Sequence, residues 1–223
     1  MWRAAGAGRH ARVLGTLPPR RPGVLMTTPQ DLFLVSVDVP GERPVEQGDL
    51  SLALAGAELI DLLETRAVTL DGERIVPGPP LPTGDRMLDE AGAALVREEP
   101  YETVEDWLWR RGRGLAGAYH DFLDTEGQLT GRRRRWLPRP AETPPADTPA
   151  RRHAAERWWS HEPVLAGLAD PLGIGEDRPQ TEYADDAVLT VLAAVGDAVT
   201  ELTAVRERRR IENAAFDNIW RAP

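Results

Sequence analysis

One segment in the first half of the chain constrains the fold more than any other, because its apolar residues recur at the spacing of an α-helix. The positions follow the pattern i, i+4, i+7, i+8 and i+11. Asp49 precedes them and is suited to cap the helix, since its carboxylate can accept a hydrogen bond from a free backbone amide. We therefore expect a helix at the centre of the core, with these residues on its apolar face: Leu52, Gly56, Leu59, Ile60 and Leu63.

Further segments also carry signals of helices. Thr103 and Asp106 have the spacing of a capping box, and Thr148 with Pro149 suits the N-cap and first position of another helix. Near the C-terminus, two apolar stripes at helical spacing are separated by a charged stretch. The first stripe comprises Val188, Val191, Leu192, Val195, Val199 and Leu202, and the second comprises Ile211, Ala215 and Ile219.

The clearest strand signal is Asp71-Gly72, since this dipeptide supplies the positive φ angles of a type I′ turn. It predicts a β-hairpin with strands over 67–70 and 73–76. A second short hairpin is suggested around the basic run that begins at Arg132, which gives that region a winged-helix outline. The sequence thus predicts a mainly α-helical, single multi-helix domain over 26–223, with one or two small β-hairpins and a proline-rich loop at 138–149.

The first twenty-five residues differ from the rest, because they hold five arginines and no acidic residue. They lack the apolar stretch of a secretory signal. We expect this segment to lie outside the fold and translation to begin at Met26.

Charge is distributed unevenly along the chain. The net charge is −9, yet residues 110–139 contain eight arginines and only three acidic residues. Such a basic island in an acidic protein indicates where an anionic partner binds. One guanidinium group can donate two parallel hydrogen bonds to two oxygens of the same phosphate. A tryptophan beside such arginines is suited to a membrane interface. The predicted anion-binding or lipid-binding residues are Arg110, Arg111, Arg113, Arg132, Arg133, Arg134, Arg135 and Trp136.

No run of about 18 uninterrupted apolar residues occurs, so we expect any membrane contact to be peripheral. The absence of cysteine suits a reducing compartment, and we expect a cytoplasmic protein, located in part at the inner face of the membrane.

Catalytic motifs are missing from the sequence. The four histidines show no HExxH spacing, and none of the three serines lies in a G-x-S-x-G motif. We therefore expect no enzymatic activity, no catalytic residue, no metal site and no cofactor.

Two other functions remain open on the residues alone. A nucleic-acid-binding module would use the helix after Arg113 and the following basic turn, although the net negative charge makes nucleic acid an unlikely partner. A protein-interaction scaffold would pair the predicted hairpin with a second copy to form a homo-oligomer. The arginines between 206 and 210 alternate with acidic residues, and we interpret them as a solvated helix face.

Six segments in order resemble the Golgi phosphoprotein 3 family, in its shorter bacterial form. They are DLFLVSVD, LALAGAELIDLLE, AVTLDGERIV, PTGDRMLDEA, VEDWLWRRG and FLDTEGQL. The resemblance implies a mostly helical fold in which 30–37 is a helix, peripheral binding to phosphatidylinositol 4-phosphate, capture of client-protein tails and no catalysis. It also implies self-association through the hairpin, here Val68, Leu70 and Ile75.

The lipid pocket that the resemblance implies is only partly matched by these residues. The family has a tryptophan in the loop that corresponds to 44–49, where this chain has no aromatic residue. Ala55 stands where the family has an arginine. Arg110 and Arg113 have the i, i+3 spacing of the family's basic pair.

Overall fold

The structure is a computed structural model and describes residues 26–39, 41, 43–80, 82–129, 147–175 and 185–220, without the side chains of 215–220. Within these ranges it contains eight α-helices, one short 3₁₀ helix and a two-stranded antiparallel sheet. The elements are α1 (Thr28–Asp38), α2 (Gln47–Glu64), β1 (Val68–Asp71), β2 (Arg74–Pro77), α3 (Arg86–Ala93), α4 (Val104–Arg111), α5 (Leu115–Thr125), α6 (Pro149–Trp159), α7 (Pro163–Ala169), the 3₁₀ helix Asp170–Leu172, and α8 (Asp186–Trp220). The prediction of a mainly α-helical fold is therefore confirmed.

Helix α2 is the centre of the core, as its apolar spacing predicts. All its residues from Asp49 to Leu62 are buried, and it packs against α1, α3, α4, α5, α7 and α8. A helix that is buried on every face forms the middle of a helical protein. Asp49 is not its N-cap, however, because the helix begins earlier, at Gln47. Asp49 instead lies in the first turn, where it forms an ion pair with Arg206 of α8.

Helix α1 confirms the expectation drawn from the family resemblance. The apolar run that periodicity alone leaves ambiguous is a helix, and Leu32 and Leu34 are fully buried in it. Its β-branched residues cost little helix propensity compared with the apolar surface that the helix buries against α2 and α6.

The predicted hairpin is present, but its turn lies one residue later. Asp71 pairs with Arg74, so the two loop residues are Gly72 and Glu73. Gly72 has a φ of 60°, whereas Glu73 is not among the described residues with positive φ. This pattern fits a type II′ turn with glycine at its first central position, not the predicted type I′ turn. The observed register turns Ile75 into the core.

The predicted caps of α4 and α6 are correct, unlike the one predicted at Asp49. Thr103 and Asp106 form a reciprocal capping box at α4, and the Thr148 hydroxyl accepts a hydrogen bond from the Arg151 amide at the start of α6. The indole of Trp107 in α4 is fully buried and donates a 2.9 Å hydrogen bond to the Ala55 carbonyl of α2. Local capping thus starts α4, and a distant core contact fixes its position.

Several sequence predictions lie outside the described residues. These include the N-terminal segment 1–25, most of the proline-rich loop and the stretch 130–146 that would complete a second hairpin. Gln128 and Leu129, which would begin that hairpin, are described and are not in a strand.

Helix α8 runs through the charged stretch that separates the two C-terminal apolar stripes. Arginine and glutamate are good helix formers, so a charged face does not end a helix. The segment Asp186–Ala214 is long and apolar enough to cross a membrane by length and composition, and 28% of its most apolar stretch is buried. Val191 and Val195 are fully buried, and the helix packs against α2 and α4.

The contact between α2 and α8 depends on Gly56. A β-carbon at this position would lie 2.4 Å from Cγ2 of Val195, which is closer than real side chains approach. We expect Gly56→Ala to lower the free energy of unfolding by about 1–2 kcal/mol, because it overpacks a tight core. Urea unfolding followed by circular dichroism measures this effect.

Gly196→Ala in α8 is the matched control. Nothing lies within 4 Å of the added methyl group there, so alanine is expected to be neutral or to stabilise the helix. Equal effects of the two substitutions would show that helix propensity, and not the close packing at Gly56, controls the result.

Candidate anion-binding site

The arginines that the sequence groups into one anion-binding site have different environments. Arg132, Arg133, Arg134, Arg135 and Trp136 lie outside the described residues. Arg110 and Arg111 lie at the end of α4, Arg113 lies in the turn before α5, and the three side chains have different surroundings.

Arg110 ties α4 to the preceding loop. Its guanidinium donates hydrogen bonds to both carboxylate oxygens of Glu102, the shortest of them 2.6 Å, and another of 3.0 Å to the Ala94 carbonyl. It also lies over the ring of Trp107, 5.3 Å from the centroid. Its charge is therefore neutralised within the protein, in contrast to the free cation that the sequence analysis predicts.

Arg111 forms an ion pair with the core. Its Nε and Nη2 each donate a 2.8 Å hydrogen bond to Glu58, which is fully buried in the middle of α2. The Tyr119 hydroxyl donates a third, 3.1 Å hydrogen bond to the same carboxylate. Burial raises the pKa of Glu58, while the bonds from Arg111 act against this shift. This role differs from the predicted one, since Arg111 neutralises a buried carboxylate and fixes α4 against α2.

Arg113 is exposed and, unlike Arg110 and Arg111, has no hydrogen-bond or ion-pair partner among the described side chains and backbone groups. It lines a pocket of about 310 Å³. The remaining pocket walls come from α2, α4, the turn between α4 and α5, and α8. They are formed by Gln47, Gly48, Ser51, Leu52, Trp109, Gly112, Gly114 and Leu202.

Two helix N-termini meet at this pocket. The N-cap residues of both helices, Glu46 of α2 and Gly114 of α5, make no side-chain capping bond. In α5 the first amides have other partners, because the Leu115 amide bonds to the Gly112 carbonyl and the Ala116 amide donates a 3.0 Å hydrogen bond to the Ser51 hydroxyl of α2. The uncapped N-terminus at this pocket is therefore that of α2, whose amides and helix dipole favour an anion, and the Arg113 charge adds to this preference.

The turn between α4 and α5 brings Arg113 to the pocket. Gly114 has a φ of 72°, a left-handed conformation that glycine adopts without strain. At Gly112, a β-carbon would lie 3.2 Å from the Ser51 carbonyl oxygen, so the absence of a side chain lets the turn pass close to α2. The sequence feature that identifies this site is therefore Gly-Arg-Gly at 112–114.

Sequence reasoning missed one residue beside the pocket. Arg206, which the charge pattern assigns to a solvated helix face, reaches α2 and forms a 2.6 Å ion pair with Asp49. The partners are 157 residues apart in the chain. Gly48, which allows this close approach, is the signal that could have suggested a neighbour at this point.

The predicted self-association residues lie mostly inside the protein. Val68 and Ile75 are each 1% exposed, and Leu70 is half-buried against the core. The outer edge of β2 is also occupied, because the Ile75 amide bonds to the Glu102 carbonyl and the Val104 amide bonds to the Glu73 carbonyl. A second copy would therefore have to use the other edge, that of β1.

A second polar cavity, of about 390 Å³, lies where α1, α2, α3 and α6 meet. Its lining includes Asp61, whose Oδ2 accepts a 2.9 Å hydrogen bond from the Thr28 amide. Burial raises the pKa of Asp61 to about 6. Nearby, the fully buried Asp31 is neutralised by Arg157 and contacts His153. In the part of the chain that the structure describes, no group of three acidic or histidine side chains is arranged to hold a metal ion.

Comparison with known proteins identifies the family. No curated protein matches the chain. The sequence model of the Golgi phosphoprotein 3 (GPP34) family, in contrast, matches residues 29–222, from the first turn of α1 past the end of α8. The chain therefore belongs to the Golgi phosphoprotein 3 family.

Proposed function

We propose that this protein is a non-catalytic, peripheral membrane adaptor that binds the anionic headgroup of a phospholipid, of the phosphatidylinositol 4-phosphate type. The observation that carries the proposal is the pocket at Arg113, where an exposed guanidinium without a described partner adjoins the uncapped N-terminus of α2. Membership of the family supports an adaptor role in general. The lipid class and the pocket are our own inference.

The shape of the pocket suits a headgroup that is attached to a membrane. Its polar end is formed by Arg113, Gln47 and the first turn of α2, and its apolar wall by Trp109, Leu52 and Leu202. Trp109 is half-buried, so part of its ring remains accessible. A phosphate would contact the polar end, while tryptophan and leucine are suited to the region between headgroups and acyl chains.

The arginine run at 132–135 contributes to the proposal through its charge. Each arginine near an anionic bilayer adds roughly 1 kcal/mol of attraction, which salt weakens. We propose that this run increases membrane affinity in general, whereas the Arg113 pocket selects the headgroup. Arg110 and Arg111 have no direct role in this proposal, because Glu102 and Glu58 already neutralise them.

Flotation with vesicles tests the proposed site. Vesicles of phosphatidylcholine that carry phosphatidylinositol 4-phosphate are expected to bind the protein, and Arg113→Gln is expected to weaken binding about tenfold. The size follows from the loss of a charge-assisted hydrogen bond, about 1.5–3 kcal/mol. Vesicles with phosphatidylinositol, which lacks the extra phosphate, measure selectivity.

Arg152→Gln is the matched control. It removes the same charge from an exposed side chain of α6, which does not line the pocket. Equal losses for the two variants would show that only net charge matters, and the pocket would then have no specific role. Duplex DNA added as a competitor distinguishes the nucleic-acid alternative, since preferential binding to DNA would contradict the lipid proposal.

Self-association and client-protein tails remain predictions. The outer edge of β1, which pairs with no other strand among the described residues, is the part of the hairpin that we propose for pairing with a second copy. Light scattering of the purified protein measures the assembly size. A cytoplasmic location at the inner face of a membrane follows from the proposed function and is tested by cell fractionation.

A further inference from the structure

Arg206 lies beside the proposed headgroup pocket, because it adjoins Gly48, one of the residues that line it. Its Nη1 is 2.6 Å from Oδ1 of Asp49, in the first turn of α2. The Arg206 side chain is 33% exposed and that of Asp49 is 13% exposed. The guanidinium therefore has a fixed partner on the protein side and an open side toward solvent.

Gly48 shows how close Arg206 comes to the pocket wall. A β-carbon at Gly48, which lines the pocket, would lie 2.5 Å from Nη2 of Arg206 and 3.0 Å from Cδ2 of Leu202. The guanidinium thus lies directly against the first turn of α2, whose backbone amides point out of the helix N-terminus. Leu202, one turn earlier in α8, lines the same pocket. Helix α8 thereby places a second cation beside the pocket, next to the wall residues Gly48 and Leu202.

Asp49 affects Arg206 in two opposite ways, depending on whether the pocket is empty or filled. As an acidic residue in the first turn of α2, it is stabilised by the helix dipole and by Arg206. A phosphate in the pocket would compete with the Asp49 carboxylate for the same guanidinium. Asp49 therefore holds Arg206 in position when the pocket is empty and opposes anion binding when the pocket is filled.

On the basis of the proposed function, we propose that Arg206 is the second cationic ligand of the bound phosphate and that Asp49 competes with the ligand for it. Two guanidinium groups and the N-terminus of α2 fit a phosphomonoester, which carries close to two negative charges near neutral pH. A phosphodiester carries one. The pocket is thus selective for headgroups with a terminal phosphate over lipids with only the bridging phosphate.

The test uses the full chain and vesicles of phosphatidylcholine with phosphatidylinositol 4-phosphate. Arg206→Gln is expected to weaken binding about tenfold, as expected for the loss of a hydrogen bond between charged groups. Asp49→Asn is expected to strengthen binding, because Arg206 is released from its competitor. Arg209→Gln, an exposed change of equal charge one turn along α8, is expected to change binding less than about twofold, since surface charges are screened.

The double variant separates a direct role from an indirect one. If Arg206 contacts phosphate, Arg206→Gln weakens binding in the Asp49→Asn background by at least as much as in the wild type. If Arg206 acts only by fixing Asp49, the substitution has no effect in that background, and the proposal is wrong. Equal losses for Arg206→Gln and Arg209→Gln also overturn it.

Arg113→Gln distinguishes this inference from the proposed function. A loss with Arg113→Gln but not with Arg206→Gln keeps the headgroup site and removes Arg206 from it. No loss with either variant overturns both.

Thermal unfolding identifies a variant that fails to fold, and Arg206→Lys then replaces Arg206→Gln. Because lysine keeps the charge but loses the planar fork, binding is expected to be intermediate, and wild-type binding would contradict a paired contact with phosphate.

Discussion

Replacing Arg111 by methionine is expected to lower the free energy of unfolding by about 3–5 kcal/mol, which is the usual cost of removing one partner from a buried ion pair. Glu58 is fully buried, and Arg111 donates two of the three hydrogen bonds that its carboxylate receives. Without Arg111, the carboxylate would be left charged and buried or would have to take up a proton. Urea unfolding at neutral pH, followed by circular dichroism, measures the change.

Two further variants test the cause of this destabilisation. Arg113→Met removes a neighbouring arginine that has no partner among the described residues, and it should change stability by less than about 0.5 kcal/mol. Glu58→Gln combined with Arg111→Met is expected to recover part of the loss, because a neutral amide costs less to bury than an unpaired carboxylate. If Arg111→Met costs no more than Arg113→Met, the buried pair does not stabilise the core.

The fold was largely predictable because its main signals are local. The apolar spacing of α2, the Thr103–Asp106 capping box and the glycine that marks the hairpin, Gly72, are each read within a few residues. The hairpin register was not predictable in the same way, since it depends on burying Ile75 and on pairing β2 with the Thr103 segment. The unbroken α8 was also missed, because a charged face is compatible with a helix boundary or with a solvated helix.

The candidate site was less predictable, because the partners of the arginines are distant in sequence. Arg111 pairs with Glu58, 53 residues away, and Arg206 pairs with Asp49, 157 residues away. Charge counting treats all arginines of the basic island as equivalent, whereas the structure separates Arg113 from those with acidic partners. One signal was present: Glu58 is a charged residue inside an otherwise apolar helix segment, and a buried charge requires a partner.

Stability is also expected to depend on the protonation of Asp61. Burial raises its pKa from the ordinary value of 3.8 to about 6, so the folded protein binds this proton more tightly than the unfolded chain does. The corresponding stabilisation is complete below about pH 4 and is lost as the pH rises through about 6. The difference between the two pKa values corresponds to about 3 kcal/mol, which is the upper limit of the effect.

Asp61→Asn is expected to remove this dependence. The amide oxygen of asparagine can still accept the hydrogen bond from the Thr28 amide, and no charge is buried at any pH. At pH 8 the variant should therefore be more stable than the wild type by about 1–2 kcal/mol, since its buried NH₂ group offsets part of the gain. At pH 4 the two proteins should be equally stable or the variant slightly less stable.

Unfolding in urea at several pH values between 4 and 8 measures this difference directly. The relevant quantity is the difference between variant and wild type, because Glu58 and Asp85 also have raised pKa values through burial and contribute to the pH dependence of both proteins.

Asp121→Asn is the control, because it changes an exposed carboxylate whose side chain is 88% accessible. Asp106→Asn is unsuitable, because it removes the α4 capping box. A constant difference between Asp61→Asn and wild type across this range would mean that folding does not raise the pKa of Asp61. A difference that grows with pH, and is absent for Asp121→Asn, identifies Asp61 as the group whose ionisation opposes folding.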